Sequence, residues 1–383
     1  MENLIPDEWI CRENCSFYKP NRIEEERCRG YTLAFDISSN KPLRESAEVS
    51  EAFDSDFEKS FLRKNVCEAC PFFIDGCDFT SSEPPQNCLP CGGLLILSKA
   101  LKNGALSQSD VRLANLNDLG GKAHLRICDD AALKKLEDLY IYNISRDELY
   151  EINEDGFEFL KNCDGTRTLE SLAPDDEFVQ YCVEEGLLEA CGVYSPRNIT
   201  LGESPIPSLR YLEWLVTFRC NLACRHCYLG EDQSEDFPEH LIPILLNEFS
   251  QMQGLRVLVS GGEPTLYRHF DTLNEHLSGL PLRFVLLSNG MTMTEKLAKS
   301  LNFHEVQISL DGMQSGHDLI RGEGAFKLVL RAMESVRSAG LDLSVATMIH
   351  SGNMNEWDDM LRLLESFGVR EWSFDYPCVK GRF

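Results

Sequence analysis

From about residue 210 to the end, apolar runs of strand length alternate with amphipathic stretches of helix length, and this alternation constrains the chain more than any other feature. The strand-like runs are YLEWLVTF, LRVLVS, LRFVLLS, EVQISL, LSVATMI and EWSFDY, with helical pieces such as HLIPILLNEFSQM and FKLVLRAMESVRSAG between them. Strands that are each followed by a helix pair in parallel through right-handed crossovers. Six of them predict an α/β fold, a partial (β/α)6 barrel over residues 209–383. In parallel barrels the chemistry gathers in the loops at the C-terminal ends of the strands, so functional residues are to be sought there.

The loop after the first strand reads TFRCNLACRHCYLG and sets Cys220, Cys224 and Cys227 in a C-x3-C-x2-C spacing. Three thiolates can hold three irons of a cubane cluster and leave the fourth iron open, much as catalytic zinc sites keep an open position. The competing reading is a structural zinc site completed by His226. The loop after the second strand is SGGEP, with Gly261, Gly262, Glu263 and Pro264. Its glycines allow close approach of the backbone to a ligand. SNG, with Ser288 and Asn289, ends the third strand; SLDG, with Ser309 and Asp311, ends the fourth; IRGEGAF places Arg321 just beyond. Asn289 and Asp311 also suit turn or helix-capping roles.

In this order and spacing the motifs resemble the radical S-adenosylmethionine (SAM) superfamily. The resemblance implies a 4Fe-4S cluster on Cys220, Cys224 and Cys227 whose open iron chelates the amino and carboxylate groups of SAM. It further implies that Gly261, Gly262, Glu263 and Pro264 receive the methionine amino group, that Ser288, Ser309 and Arg321 contact the methionine or ribose, with Asn289 and Asp311 as further cofactor-binding candidates, and that Tyr228 lies by the adenine. On reduction, SAM would be cleaved to a 5′-deoxyadenosyl radical that abstracts hydrogen from a substrate. The run QISLDGMQSGHDLIRGEGAF and the terminal PCVKGRF resemble the peptide-modifying branch that carries a C-terminal SPASM domain. Here Cys378 is the only cysteine beyond Cys227, so the expectation is a truncated chain or auxiliary clusters placed elsewhere.

Upstream, residues 124–193 alternate strand-like (YIYNIS, ELYEIN) and helical (EDGFEFLKNC, DEFVQYCVEEG) pieces, the size of a small winged-helix module. This stretch resembles the PqqD-like peptide-recognition module of ribosomal-peptide maturases, which implies binding of a precursor leader as an added strand. A DNA-binding winged helix fits poorly, because residues 126–189 hold 6 basic and 18 acidic side chains. Residues 194–208, with Pro196, Pro205 and Pro207, read as a linker. Residues 1–105 form a Cys-rich region in which LLILSKALKNG predicts a helix ending at Gly104.

Eight of the 16 cysteines lie in that first region: Cys11, Cys15, Cys28, Cys67, Cys70, Cys77, Cys88 and Cys91. No histidine precedes His124. All-thiolate ligation suits auxiliary iron-sulfur clusters or four-cysteine zinc sites, and eight ligands suffice for two of either. The scattered Cys128, Cys163, Cys182 and Cys191 read as small core hydrophobes. The start of the chain has neither the basic stretch nor the apolar run of an export signal, and no apolar run reaches membrane-spanning length. A cytoplasmic protein is expected, so the cysteines point to metal rather than disulfides. With 62 acidic and 37 basic residues, a net charge of −25 argues against nucleic-acid or membrane partners.

The sequence thus points to an oxygen-sensitive maturase that modifies a ribosomally made precursor peptide and takes electrons from a donor such as flavodoxin or ferredoxin. Two alternatives stand beside it: an activase acting on a folded partner protein, and a non-catalytic iron-sulfur protein that binds peptides.

Overall fold

The computed structural model describes residues 28–40, 61–67, 70, 91–172, 175–229 and 235–377. Cys11, Cys15, Cys77, Cys88 and Cys378 lie outside the described residues. The chain divides into two units, residues 1–133, 139–143 and 148–200 in the first, and 134–138, 144–147 and 201–383 in the second.

In the first unit the leading helices are α1 (Arg29–Asn40), α2 (Gly92–Lys102) and α3 (Gln108–Leu119), with a single π turn at Arg63–Cys67. Helix α2 stops two residues before Gly104, which takes the left-handed φ of 71° that glycine accommodates. Helix α3 begins on a reciprocal capping box: Asp110 N–H donates to the Ser107 hydroxyl, and Ser107 N–H donates to the Asp110 carboxylate. Its burial is what propensity did not announce, for Asn115 is buried and donates to the Ala190 carbonyl.

Strands β1 (His124–Ile127), β2 (Ala131–Lys135), β3 (Leu139–Asn143), β4 (Glu148–Glu151), β5 (Asp164–Thr168) and β6 (Leu188–Cys191) follow, with α4 (Glu154–Lys161), α5 (Leu169–Leu172) and α6 (Asp176–Glu184) among them. They form two three-stranded sheets, ordered β5-β1-β6 and β2-β3-β4. Cys128, Cys163, Cys182 and Cys191 are all buried, and burial pushes the Cys128 and Cys182 thiols up to about 12, so they serve as packing.

In the second unit β7 (Tyr211–Thr217), α7 (Ile242–Gln251), β8 (Arg256–Gly261), α8 (Phe270–His276), β9 (Arg283–Ser288), α9 (Glu295–Ser300), β10 (Glu305–Ser309), α10 (Gln314–Arg321), α11 (Ala325–Ser338), β11 (Asp342–Met348), α12 (Trp357–Phe367) and β12 (Glu371–Asp375) alternate. The strands lie in chain order, β12-β11-β10-β9-β8-β7, and every neighbouring pair is parallel. All six expected strands are present. The core fills with Val216, Val259, Phe284, Leu286, Ile308 and Val345 from the strands, packed by Leu246, Phe249, Met333 and Leu364 from the helices. Such near-continuous apolar strands are what a sheet covered by helices requires.

At the N-terminal strand ends a buried ionic cluster closes the sheet. Arg283, fully buried, donates to Glu305 at 2.8 Å, to Asp342 at 2.6 Å and to the carbonyls of Ile144 and Ser145 at 2.9 Å. That end is occupied by structure, which leaves the opposite end for chemistry. Among the described residues, no helix is long and apolar enough to cross a membrane.

Candidate active site

The three barrel cysteines sit in the loop that leaves β7, where Thr217 anchors the turn. Its hydroxyl accepts the Arg219 N–H at 3.1 Å and donates to Asp236 at 2.6 Å. The loop after β8 is stitched to it by backbone: Gly262 N–H donates to the Thr217 carbonyl and Glu263 N–H to the Arg219 carbonyl, both at 2.8 Å. The glycines are demanded by this contact. Gly261 holds φ 138°, and a Cβ there would lie 2.3 Å from the Thr217 oxygen; a Cβ on Gly262 would lie 2.3 Å from the Arg219 oxygen. At these two positions the glycines allow a close approach to the cysteine loop itself.

Cys224 is buried, Cys227 half-buried and Cys220 exposed. Donors surround the sulfurs. The Cys220 sulfur accepts the Leu222 N–H at 3.4 Å and the Asn289 amide at 3.7 Å, while Arg321 Nη1 lies 4.0 Å from the Cys224 sulfur. Burial pushes the Cys224 thiol up, against the pull of the Arg321 guanidinium. Deprotonation there therefore couples to the arrival of a cation, and N–H donors aimed at sulfur are the outer shell that a metal thiolate uses. His226 is half-buried, its Nδ1 has no hydrogen-bond partner among the described residues, and burial, then Arg321, hold its ring down to about 4.

Glu263 is the hub of the second loop. It is fully buried, and its carboxylate accepts from Thr265 Oγ1 at 2.7 Å, Ser288 Oγ at 2.9 Å and Asn289 N–H at 2.8 Å. Burial raises its carboxyl, partly offset by these donors. The hub ties the ends of β8 and β9 together and fixes Asn289, whose amide also reaches Asn221 at 2.8 Å. Pro264 follows, buried, at the start of a single 3-10 turn, Pro264–Leu266.

Beyond β10, Asp311 is fully buried between an ion pair with Arg321 and the Met348 N–H, which donates at 2.8 Å. Burial alone would raise this carboxyl; the guanidinium prevails and holds it low. The Asp311 N–H donates to His317 Nδ1 at 3.0 Å, and its carbonyl accepts from Asn353 at 2.8 Å. Glu356 accepts the Met313 N–H at 2.8 Å and the Ser315 hydroxyl at 2.5 Å, capping α10. Ser309 is partly buried at the end of β10, and Tyr228 is exposed beside Cys227.

The structure thus brings Asn289 to Cys220 and Arg321 to Cys224, and links Ser288 to Glu263 and Arg321 to Asp311. Reasoning from sequence missed Asn221, Thr265, His317, Asn353 and Glu356. Thr265 directly follows the GGEP run and was findable as a hydroxyl beside a carboxylate. Asn353 and Glu356 come from a loop about 40 residues past Asp311 and carry no local signal for that contact.

The radical SAM superfamily model matches residues 214–364. An AdoMet-dependent heme synthase of Oleidesulfovibrio alaskensis is 32% identical over 196 residues, covering 49% of this chain and 50% of that protein. Mycofactocin maturase MftC of Mycolicibacterium smegmatis is 29% identical over 181 residues, 45% of this chain and 46% of that protein. The chain thus spans about half the length of these curated relatives. Among solved structures, Streptococcus suis SuiB bound to its precursor peptide SuiA aligns with a TM-score of 0.51 at 16% identity, covering 66% of this chain and 63% of SuiB, a likeness of fold. The cofactors of the superfamily are a 4Fe-4S cluster and SAM. The match falls on the strands and loops that gather the three cysteines: residues 214–364 are a radical SAM domain.

Proposed function

We propose that the protein is a radical SAM peptide maturase, which holds a precursor peptide and abstracts hydrogen from one of its residues. The single observation that carries the reading is the pairing of a radical SAM domain with the module-sized segment at 124–193. The barrel does not choose the substrate by itself, since its relatives include both a heme synthase and a peptide maturase.

Cys220, Cys224 and Cys227 would hold the cluster. With SAM bound, that cluster would supply the one-electron chemistry by which hydrogen is abstracted from the substrate. The rest falls to the chain. Asn289 and Arg321 lend donors to the thiolates, and Arg321, fixed by Asp311, offers a guanidinium to the carboxylate of a bound amino acid. Glu263 holds Ser288 and Asn289 in place. Gly261 and Gly262 keep the two loops in backbone contact.

The leader site is residues 124–193, where β4 (Glu148–Glu151) lies at the edge of the β2-β3-β4 sheet and pairs with β3 alone among the described residues. An edge of this kind takes an added strand through main-chain hydrogen bonds. An electron donor such as flavodoxin or ferredoxin would supply the cluster in the cytoplasm.

The test uses peptides from short reading frames beside the gene. Reconstituted protein should bind one of them and change its hydrogen content, read by mass spectrometry in deuterated and ordinary water. Cys224→Ala should abolish the change and keep the binding. Cleavage of SAM without binding or altering any such peptide, and alteration of a large neighbouring enzyme instead, would replace this reading by the activase.

A further inference from the structure

Four of the eight N-terminal cysteines are gathered from three separate stretches of chain. Cys28 directly precedes α1, and Cys91 is the N-cap residue of α2. The first turns of these helices meet at two glycines. A Cβ on Gly93 would lie 2.0 Å from the Gly30 carbonyl carbon, and a Cβ on Gly30 would lie 2.7 Å from the Cys91 sulfur and 2.9 Å from the Leu94 nitrogen. Only paired glycines allow that crossing, and its effect is to set the Cys91 sulfur against the start of α1, two residues from Cys28.

The third stretch is a C-x2-C pair. Cys67 ends the π turn, and Cys70 N–H donates to the Cys67 carbonyl at 2.9 Å, folding the pair into a tight turn. Cys67 is buried within electrostatic reach of Cys91, and the Cys70 sulfur accepts the Arg29 N–H at 3.4 Å, one residue from Cys28. All four are thiols. The scaffold beneath them is built, not incidental: Tyr31, Leu33, Leu62, Val66, Leu94 and Leu97 form one core there. Arg29 is buried, donates to Asn115 at 2.6 Å and pairs with Asp118, which locks the start of α1.

From this geometry we infer that Cys28, Cys67, Cys70 and Cys91 are the four ligands of one thiophilic metal centre, a zinc ion or a 4Fe-4S cluster. Two helix starts and a C-x2-C turn are suited to it. The N-terminal turns of α1 and α2 present positive dipole ends to an anionic tetrathiolate, and the Arg29 N–H is a donor to the Cys70 sulfur. Four soft thiolates select zinc or iron-sulfur over hard cations. The inference rests on the first unit alone and stands whether or not the barrel modifies peptides.

The test is metal content of the full chain with Cys220, Cys224 and Cys227 all replaced by alanine, so that the barrel binds no iron. Purified anaerobically from iron- and zinc-supplemented cells, this protein should retain about four irons with thiolate-to-iron absorption, or about one zinc per chain. The absorption and metal ratio tell the two centres apart. Adding Cys67→Ser and Cys91→Ser should remove that metal, whereas Cys11→Ser, Cys15→Ser, Cys77→Ser and Cys88→Ser together should leave about as much as before. Because a ligand variant could fail to fold, cobalt substitution of the otherwise intact site gives an independent readout, a tetrahedral tetrathiolate spectrum. A triple-alanine protein free of metal, a cobalt spectrum without four sulfurs, or metal lost with the second set of serines and kept with the first would each overturn the assignment.

Discussion

Replacing Asp311 by asparagine isolates one charge at the centre of the candidate site. The side chains of Asp311 and Arg321 are 0% and 12% exposed, and the ion pair between them is the Asp311 carboxylate's one salt bridge among the described residues. Asparagine keeps the volume and an oxygen that can accept the Met348 N–H, now received at 2.8 Å. What is lost is the counter-charge of a buried guanidinium, and breaking a buried pair by removing one partner costs about 3–5 kcal/mol. In a unit of this size each kcal/mol lowers Tm by about 2–4 °C, so a drop of about 6–20 °C is expected. Three of the four tryptophans, Trp214, Trp357 and Trp372, belong to this unit, so intrinsic fluorescence follows its unfolding in urea. Arg321→Met alone should also destabilise, by leaving Asp311 unpaired, while the double variant should recover about 1–3 kcal/mol of the summed losses. A loss under about 0.5 kcal/mol for Asp311→Asn, or strict additivity in the double variant, would refute the view that this pair is a coupled, buried unit.

Other perturbations reach different parts of the molecule. Arg283→Met, at the closed end of the sheet, should cost about 1–3 kcal/mol, because Glu305 keeps Arg256 and Ser344 and Asp342 keeps Arg370, yet leave iron content unchanged, as measured by urea unfolding and metal analysis. Gly262→Ala, whose Cβ would press on the Arg219 carbonyl, should cut the iron retained at the barrel site while the first unit keeps its fold by circular dichroism. Burial holds His317 down to about 4, with Nδ1 accepting the Asp311 N–H, so the neutral ring is the folded form. Its contribution is therefore fully present above pH about 6.5 and lost as pH falls toward 4, and His317→Gln should flatten the fall in stability across that window. Glu263→Gln should lower Tm, because an amide turns one acceptor into a donor facing Thr265, Ser288 and Asn289, at about 1–3 kcal/mol.

The barrel was legible because its signal is periodic and local. Apolar strands such as LRFVLLS and EVQISL, each followed by an amphipathic helix, can bury both faces in only one arrangement, and β9 and β10 lie where those runs are. The cysteine triplet was legible for the same reason, being one loop. What escaped notice depends on contacts between distant loops: Glu356 capping α10 from about 40 residues away, or Gly261 and Gly262 packing closely on Thr217 and Arg219. Helix α3 was missed because its face is poor in apolar residues; a capping box at Ser107 and Asp110 starts it, and the buried Asn115 joins it to Arg29 and Ala190. The N-terminal cysteines show both limits at once. Their number suggested metal, but only the Gly30–Gly93 crossing says which thiols meet.

The most direct test of a radical SAM centre on this barrel is anaerobic. The chain is reconstituted with iron and sulfide, and iron content and reductive cleavage of SAM to 5′-deoxyadenosine are measured with Cys220, Cys224 and Cys227 intact or all replaced by alanine. The triple replacement should remove about four irons and abolish cleavage. Cleavage that survives it, or an intact triplet that binds no iron, would contradict the assignment.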